Sequence, residues 1–248
     1  MVFWNQRMNL LTGESKYVDV LEKCLYNGAL DGLSLSGDRF FYGNPLASRG
    51  QHQRREWFGT ACCPANIARL VASVGDYIYT KSDRSIGINL FVGSEAQINL
   101  GDQRVGIRQQ TSYPWEPSVN LTVSTVRPRS FALLIRKPNW SGDPEQSLYL
   151  SPSSSEITYS VKVNGKPFNT VIENGYLKID RKWKDGDQVD YNFSMPVSLV
   201  RSKTSIQQNE DRLAIQRGPL VYCVEGIDND NKAWNIILPG SSSFTLYP

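Results

Sequence analysis

Cysteine and histidine are scarce in this sequence, which has four cysteines and one histidine among 248 residues. The cysteines, at positions 24, 62, 63 and 223, are too few and too unevenly spaced for the disulfide framework of a small secreted module. Cys24 and Cys223 each lie among apolar neighbours, which predicts buried, unreactive thiols.

The sequence also lacks an excess of one charge and any long apolar run. Its 27 basic residues are scattered among 24 acidic ones, so we expect no nucleic-acid partner. No window approaches the roughly eighteen uninterrupted apolar residues of a membrane-spanning helix, and the N-terminus lacks the features of a secretory signal. We therefore expect a soluble protein without a membrane partner, cytoplasmic or periplasmic in a bacterium. The compartment stays open, as does assembly into a homo-oligomer.

Residues 1–80 carry the apolar spacing of helices. In SKYVDVLEKCLYNGAL, apolar residues from Val18 to Leu25 recur at intervals of three and four, which predicts a helix with one buried face. A second helix is predicted after Pro64, with the same spacing from Ile67 to Val74. The opening MVFWNQRMNLL has helical spacing but no capping residue ahead of it. Whether it begins inside a longer helix or is a frayed terminal one stays open.

After residue 80 the pattern changes to short runs rich in β-branched and aromatic residues, separated by turn-forming residues. Several runs alternate apolar and polar residues, as in SVNLTVSTV, which is typical of an antiparallel β-sandwich. VNGKP and KDGDQ predict tight turns on Gly165 and Gly186. We therefore predict an α+β chain with helices in 1–80 and a β-sandwich in 81–198. A last region, 199–248, either returns to that sandwich or starts a second one.

The stretch TACCPANIARL places Cys62 and Cys63 side by side and follows them with Pro64. Proline is favoured at the first helical position, which predicts Cys63 as the helix cap and Cys62 as the residue just outside. A helix start favours a thiolate by only about 0.3–1 kcal/mol, less than one pKa unit at about 1.36 kcal/mol. A thiolate at neutral pH therefore needs a metal ion or a cationic neighbour.

Zinc is the natural metal for thiolates, and it commonly takes four ligands. Adjacent cysteines depart from the usual Cys-x-x-Cys spacing, and His52, ten residues before Cys62, lies in a polar loop. A disulfide between neighbours would be strained. From these residues alone, coincidental packing and a reactive or metal-bound site both stay open.

A wider pattern surrounds the pair. FFYGNPL precedes it, NPLASRGQHQRREWFGTACCPANIARL contains it, and LAIQRGPLVYCVE follows near the C-terminus. In this order, and over nearly the whole chain, these segments resemble glycoside hydrolase family 127, whose best-known activity is β-L-arabinofuranosidase. The resemblance implies an (α/α)6 barrel followed by β-sandwich domains, so residues 1–80 are expected to be the C-terminal helices of an incomplete barrel.

The resemblance also implies roles for individual residues. Cys62 would be the nucleophile that takes the sugar as a thioglycosyl intermediate, and Cys63 would bind a zinc ion that also contacts Cys62. Tyr42 would line the sugar pocket. Trp57 is a separate candidate, because it precedes the pair closely enough to wall the pocket or stack on a sugar face. Ordinary packing is the alternative for both aromatic residues. The expected partner is a carbohydrate, an arabinofuranosyl-containing plant glycan.

Family members carry a Glu-x-Cys pair of zinc ligands just ahead of a segment like VFWNQRM, and their general-acid glutamate lies earlier still. This sequence starts at that segment, so we expect the C-terminal part of such an enzyme, with little hydrolase activity alone, because a retaining glycosidase needs a proton donor. Glu56 is close in sequence to the pair but matches no motif of the family.

Two other classes of protein stay open. One is a non-catalytic carbohydrate-binding or structural β-sandwich module, in which the cysteine pair would have no role. The other is a redox or metal-storage thiol protein, which adjacent cysteines permit but a large sandwich does not explain.

Overall fold

The structure, a computed structural model, describes residues 1–43, 45, 47–141, 147–151, 156–239, 242 and 244. Helices form the first part of the chain: α1 (Val2–Thr12), α2 (Lys16–Cys24) and α3 (Cys62–Ser73). A π-helical turn, Leu25–Ala29, extends α2, and 3-10 turns span Leu30–Gly32 and Val74–Tyr77. None of the helices in the described part of the chain is long and apolar enough to cross a lipid bilayer.

The segment between α2 and α3 contains two isolated bridges, one joining Leu33 to Phe40 and the other joining Phe40 to Arg55. Asn44 and Leu46, which belong to the FFYGNPL motif, lie outside the described residues.

The described residues from 79 onward form fifteen strands. They are β1 (Tyr79–Lys81), β2 (Ser85–Ile88), β3 (Ser94–Leu100), β4 (Gln103–Gln110), β5 (Ser118–Thr125), β6 (Arg129–Arg136), β7 (Tyr149–Leu150), β8 (Tyr159–Val163), β9 (Lys166–Pro167), β10 (Val171–Glu173), β11 (Tyr176–Trp183), β12 (Asp187–Phe193), β13 (Val197–Ser202), β14 (Ala214–Arg217) and β15 (Leu220–Tyr222). Short 3-10 turns follow at Gln207–Asn209, Gly226–Asp228 and Ala233–Asn235.

These strands make three sheets, in the orders β1-β2-β6-β11-β10, β3-β4-β5-β12-β8-β9 and β15-β14-β13-β7. The predicted combination of helices and antiparallel sheets is confirmed, with one departure, because β2 and β6 pair in parallel. β1 and β10, which the sequence patterns did not indicate, lie at the two edges of the first sheet.

The first two sheets share one hydrophobic core. Val119, Leu121 and Val123 alternate along β5 and are fully buried, as the period of two predicted. Leu121 pairs with Val189 of β12, and Val189 pairs in turn with Val163 of β8, so one row of aliphatic side chains crosses three strands. The predicted turns are also confirmed, since Gly165 and Gly186 have φ of 75° and 79°.

A second core holds the helices. Buried Val18, Leu21 and Leu25 of α2 and its π-turn pack with Leu70 of α3, which confirms the apolar face predicted from their spacing. Of the two cysteines predicted to be buried, Cys24 is half-buried against this core.

Cys223 is exposed, so its predicted burial is wrong. The reason is its position: it directly follows β15, the outer strand of the four-stranded sheet. Edge positions leave side chains uncovered even where the local sequence is apolar.

Helix α1 turns its polar side inward. Asn9 donates to the Tyr176 hydroxyl (2.9 Å), Tyr176 donates to Asn89 (2.7 Å), and Asn89 donates back to Asn9 (3.2 Å). This closed ring satisfies groups that would otherwise be costly to bury. The opposite side of α1 exposes Trp4 (64%) and Leu11 (80%), so its apolar spacing marks an outward face.

A buried ion cluster joins α2 to the first sheet. Arg136 of β6 is fully buried and donates to Asp19 (2.6 Å), to Glu22 and to the Asn89 carbonyl (2.7 Å). Trp140 donates to the second oxygen of Glu22 (3.2 Å). One guanidinium thus faces two carboxylates, and burial raises the pKa of Asp19 to about 6 although Arg136 opposes the shift.

This pKa predicts how the Asp19→Asn substitution changes stability with pH. Asp19 holds its proton more tightly in the folded chain, so its contribution to stability is complete below its ordinary pKa of 3.8 and is lost as pH rises through about 6. Asparagine lacks this dependence. The free energy of unfolding of Asp19→Asn, minus that of the parent, should rise by about 1–2 kcal/mol between about pH 4.5 and about pH 7.5. Urea unfolding at each pH measures this difference.

Asp180→Asn is the matched control, because Asp180 is an exposed carboxylate on β11. Its difference from the parent should stay nearly constant across the same pH range. An Asp19→Asn difference that is equally constant would contradict the assigned pKa.

Candidate active site

The cysteine pair lies two positions further into the helix than predicted. Ala61 is the cap residue, and Cys62 and Cys63 are the first two residues of α3, so the prediction of Cys63 as the cap is wrong. Pro64 is therefore the third helical residue, which is tolerated because the first four N–H groups of a helix have no intrahelical partner. Ala61 has no side-chain oxygen to occupy these amides.

Tyr42 meets the pair from the loop ahead of it. Its hydroxyl lies 3.0 Å from the sulfur of Cys62, and the two sulfurs of Cys62 and Cys63 lie 3.8 Å apart. Asn66, one turn further along α3, donates to the Cys62 carbonyl (2.8 Å). Cys62 is exposed and Cys63 is half-buried, so neither thiol is sealed in the core.

The pair opens into a cavity of about 330 Å³, with four lining residues from the segment before α3 and four from α3 itself. They are Gly28, Gly32, Phe41 and Tyr42 on one side and Cys62, Cys63, Asn66 and Ile67 on the other. The two sides approach closely, since a Cβ on Gly32 would lie 2.9 Å from the Ile67 side chain. The cavity lining in this part of the structure includes no carboxylate.

The hydrogen bonds make the two thiols unequal. The bond from Tyr42 is the largest cause that lowers the pKa of Cys62, followed by the bond from Cys63 and by the backbone amides of Cys62 and Cys63. The same bonds raise the pKa of Tyr42 and of Cys63, because each would lose its donated proton on ionising. Cys62 is therefore the thiol of the pair that ionises first.

Trp57 and His52, both singled out in the sequence, lie outside the cavity lining. Trp57 is 56% exposed and packs edge-on against Phe40, with 5.7 Å between ring centroids, so its contact with a substrate stays a prediction. His52 stacks on Phe41 (4.8 Å) and its Nε2 contacts the Gly43 carbonyl (2.6 Å).

Glu56, the acidic residue closest to the pair in sequence, forms an exposed ion pair with Arg39 (2.9 Å). No group of three histidine, cysteine or acidic side chains that could hold a metal ion occurs in the described ranges. Five of the eight cavity residues were not predicted as site residues, among them Asn66 and Phe41. Asn66 could have been found from its position four residues after Cys62, and Phe41 from its place beside Tyr42.

Three sequence families match successive parts of the chain. Residues 1–76 match the β-L-arabinofuranosidase GH127 catalytic domain, residues 85–195 the GH127 middle domain, and residues 197–248 the glycoside hydrolase family 127 C-terminal domain. A non-reducing end β-L-arabinofuranosidase of Bifidobacterium longum is 34% identical over 251 residues, which cover 95% of this chain and 36% of the relative.

Two solved structures point to the same family. A GH127 β-arabinofuranosidase superposes with a TM-score of 0.87 and 37% identity, and a GH127 β-L-arabinofuranosidase from Geobacillus stearothermophilus T6 with a TM-score of 0.79 and 38% identity. Each match covers 92% of this chain and 36% of the solved one. The matches place the chain among the glycoside hydrolases. It belongs to glycoside hydrolase family 127, and it spans about 36% of the length of these relatives.

Replacing Tyr42 with phenylalanine should shift the pH dependence of Cys62 alkylation. Without the donated hydrogen bond the pKa of Cys62 rises toward that of an ordinary thiol, so the midpoint of the alkylation profile moves to higher pH. The rate of reaction with iodoacetamide, measured from about pH 6 to about pH 10 on metal-free chain, reports this midpoint.

Trp57→Phe is the control, because this ring contacts Phe40 and neither sulfur. An identical midpoint for the parent and Tyr42→Phe would show that the hydroxyl does not act on the sulfur.

Proposed function

We propose that this chain supplies the nucleophile side of a retaining β-L-arabinofuranosidase active site, with Cys62 as the nucleophile. The observation that carries the proposal is the exposed Cys62 sulfur, which faces a cavity and lies 3.0 Å from the Tyr42 hydroxyl. The names of the relatives supply the reaction class and the sugar.

In the proposed reaction the Cys62 sulfur forms a bond to the anomeric carbon while the glycosidic C–O bond breaks. The leaving oxygen takes a proton from a carboxylic acid. Water then attacks the same carbon while giving a proton to the carboxylate left by the first step, the C–S bond breaks, and its electron pair returns to the sulfur. Tyr42, hydrogen-bonded to that sulfur, stabilises the negative charge before the first step and after the second.

The proton donor in this proposal comes from outside these 248 residues. The cavity lining described above has no carboxylate, and Glu56 is engaged with Arg39. The relatives are nearly three times as long as this chain, which leaves room for that group in their sequences. We therefore expect the chain alone to release little or no arabinose.

Zinc is the metal that we propose for the pair. Two sulfurs bound to one tetrahedral zinc with bonds of about 2.3 Å lie about 3.8 Å apart, which is the separation of Cys62 and Cys63 here. The two thiols fit as two of the four ligands that zinc commonly takes. The described residues group no third ligand with them. When bound, the ion would hold the Cys62 thiol deprotonated more firmly than hydrogen bonds alone.

We also propose that α1, α2 and α3 belong to a larger helical barrel. The support is the outward apolar face of α1, with Trp4 and Leu11 exposed while Asn5 and Asn9 are buried. An exposed helical stripe of this kind marks a surface that another helix covers. The length difference from the relatives is consistent with this arrangement.

The proposed nucleophile can be tested without turnover. A bromoacetyl derivative of L-arabinofuranosylamine should label Cys62 selectively, and free L-arabinose should slow the labelling while glucose should not. An aryl β-L-arabinofuranoside assay on the chain alone should give no release above that of Cys62→Ser.

Labelling of Cys62 that L-arabinose leaves unchanged would count against the glycosidase and in favour of a non-catalytic sandwich module. Arabinose release that depends on Cys62 would instead support the nucleophile and overturn the external proton donor.

Zinc binding should depend on both cysteines of the pair. Competition with a chromophoric chelator should show about one zinc per chain, and Cys62→Ser or Cys63→Ser should each weaken binding by roughly tenfold or more. Cys223→Ser, which removes an exposed thiol elsewhere, should leave the affinity unchanged. Equal affinity in all four proteins would contradict the proposed metal site.

A further inference from the structure

We infer that Arg54 is a positioning residue that holds Tyr42 against the sulfur of Cys62. The inference stands on the contact between Tyr42 and Cys62 and not on which sugar the cavity takes. Arg54 touches neither sulfur in the described structure; its contacts are with Phe41 and with the Asp31 carbonyl.

The guanidinium of Arg54 connects two segments of the same cavity wall. It lies over the ring of Phe41, 4.3 Å from the centroid, and its Nη2 donates to the carbonyl of Asp31 (2.5 Å). Asp31 lies in the 3-10 turn that ends at Gly32, and Gly32 lines the cavity. The planar guanidinium of an arginine can stack on a ring and donate a hydrogen bond at the same time, which suits these two contacts better than the ammonium group of a lysine.

Phe41 passes this restraint on to Tyr42. Its N–H donates to the Gly32 carbonyl (2.8 Å). The ring of His52 stacks on the Phe41 ring, with 4.8 Å between centroids and an interplanar angle of 26°. The ring is therefore held by a cation, by an imidazole and through its own backbone. Because Tyr42 is the next residue, fixing Phe41 restricts where the phenol can point.

The same arrangement gives His52 a role that its sequence position did not indicate. Its ring packs on Phe41 and its Nε2 contacts the Gly43 carbonyl, so it braces the residues on either side of Tyr42. Arg54 and His52 are close in sequence and both contact Phe41. The polar loop ahead of the cysteine pair thus folds back onto the wall that carries the phenol.

A double-mutant cycle on the metal-free chain tests this inference. Cys62 and Cys63 lie in one tryptic peptide that ends at Arg69, and tandem mass spectrometry resolves which sulfur iodoacetamide has modified. At a fixed pH below the pKa of Cys62, Arg54→Ala should slow the reaction of Cys62 with iodoacetamide by about threefold. Tyr42→Phe should slow it as well. In the Tyr42→Phe background, Arg54→Ala should have no further effect on that rate.

Arg55→Ala is the matched control, since Arg55 is an exposed neighbour whose backbone pairs with Phe40. Arg54→Gln keeps a donor toward Asp31 without the charge over Phe41, and it should give a smaller change in the same direction. It replaces Arg54→Ala if circular dichroism shows that the alanine variant does not fold. Independent, additive effects of Arg54 and Tyr42 would overturn the inference, as would an unchanged Cys62 rate in a folded Arg54 variant.

Discussion

The buried cluster of Arg136, Asp19 and Glu22 fixes the position of the helices on the sandwich. Burying an ion pair costs so much desolvation that it is tolerated only when every partner is well placed. Here the guanidinium comes from β6 and both carboxylates come from α2, so a rotation of α2 would leave a charge unpaired. Trp140 and the Asn89 carbonyl complete the cluster from the sandwich side.

The orientation of α2 carries through to the cavity. The π-turn after α2 contains Gly28, and the next turn ends at Gly32; both residues line the cavity. Asn27 of the π-turn is tied to the last sheet as well, since it donates to the Pro219 carbonyl (2.7 Å). The cavity wall is therefore fixed by strands that are distant from it in sequence, and the phenol of Tyr42 closes the gap to α3.

Much of the fold was predictable because it follows from local periodicity. The alternation in β5 and the spacing of Val18, Leu21 and Leu25 report which face each element buries. Burial at sheet edges and the direction of α1 depend on tertiary context, so Cys223 and the exposed Trp4 were not predictable from their neighbours. Short edge strands such as β9 and β10 carry too few residues to show a period.

The candidate site was likewise predictable only in part. Adjacent cysteines before a proline indicated a special helix start, and the family pattern assigned Tyr42 to the pocket. The hydrogen bond between Tyr42 and Cys62 depends on a fold-back of the loop that joins residues twenty positions apart. The partners of Arg54 and His52 depend on the same fold-back, because Phe41 reaches both of them only after the loop has closed.

The alanine at position 61 shows that α3 gives up stability at its start. Serine, threonine, aspartate and asparagine are the usual residues there, and an alanine in their place costs a helix about 1 kcal/mol. Any of those side chains would present an oxygen to the first-turn amides, which here face the sulfur of residue 62 instead. The weaker helix end thus leaves the sulfur of Cys62 without a competing side-chain acceptor for these amides.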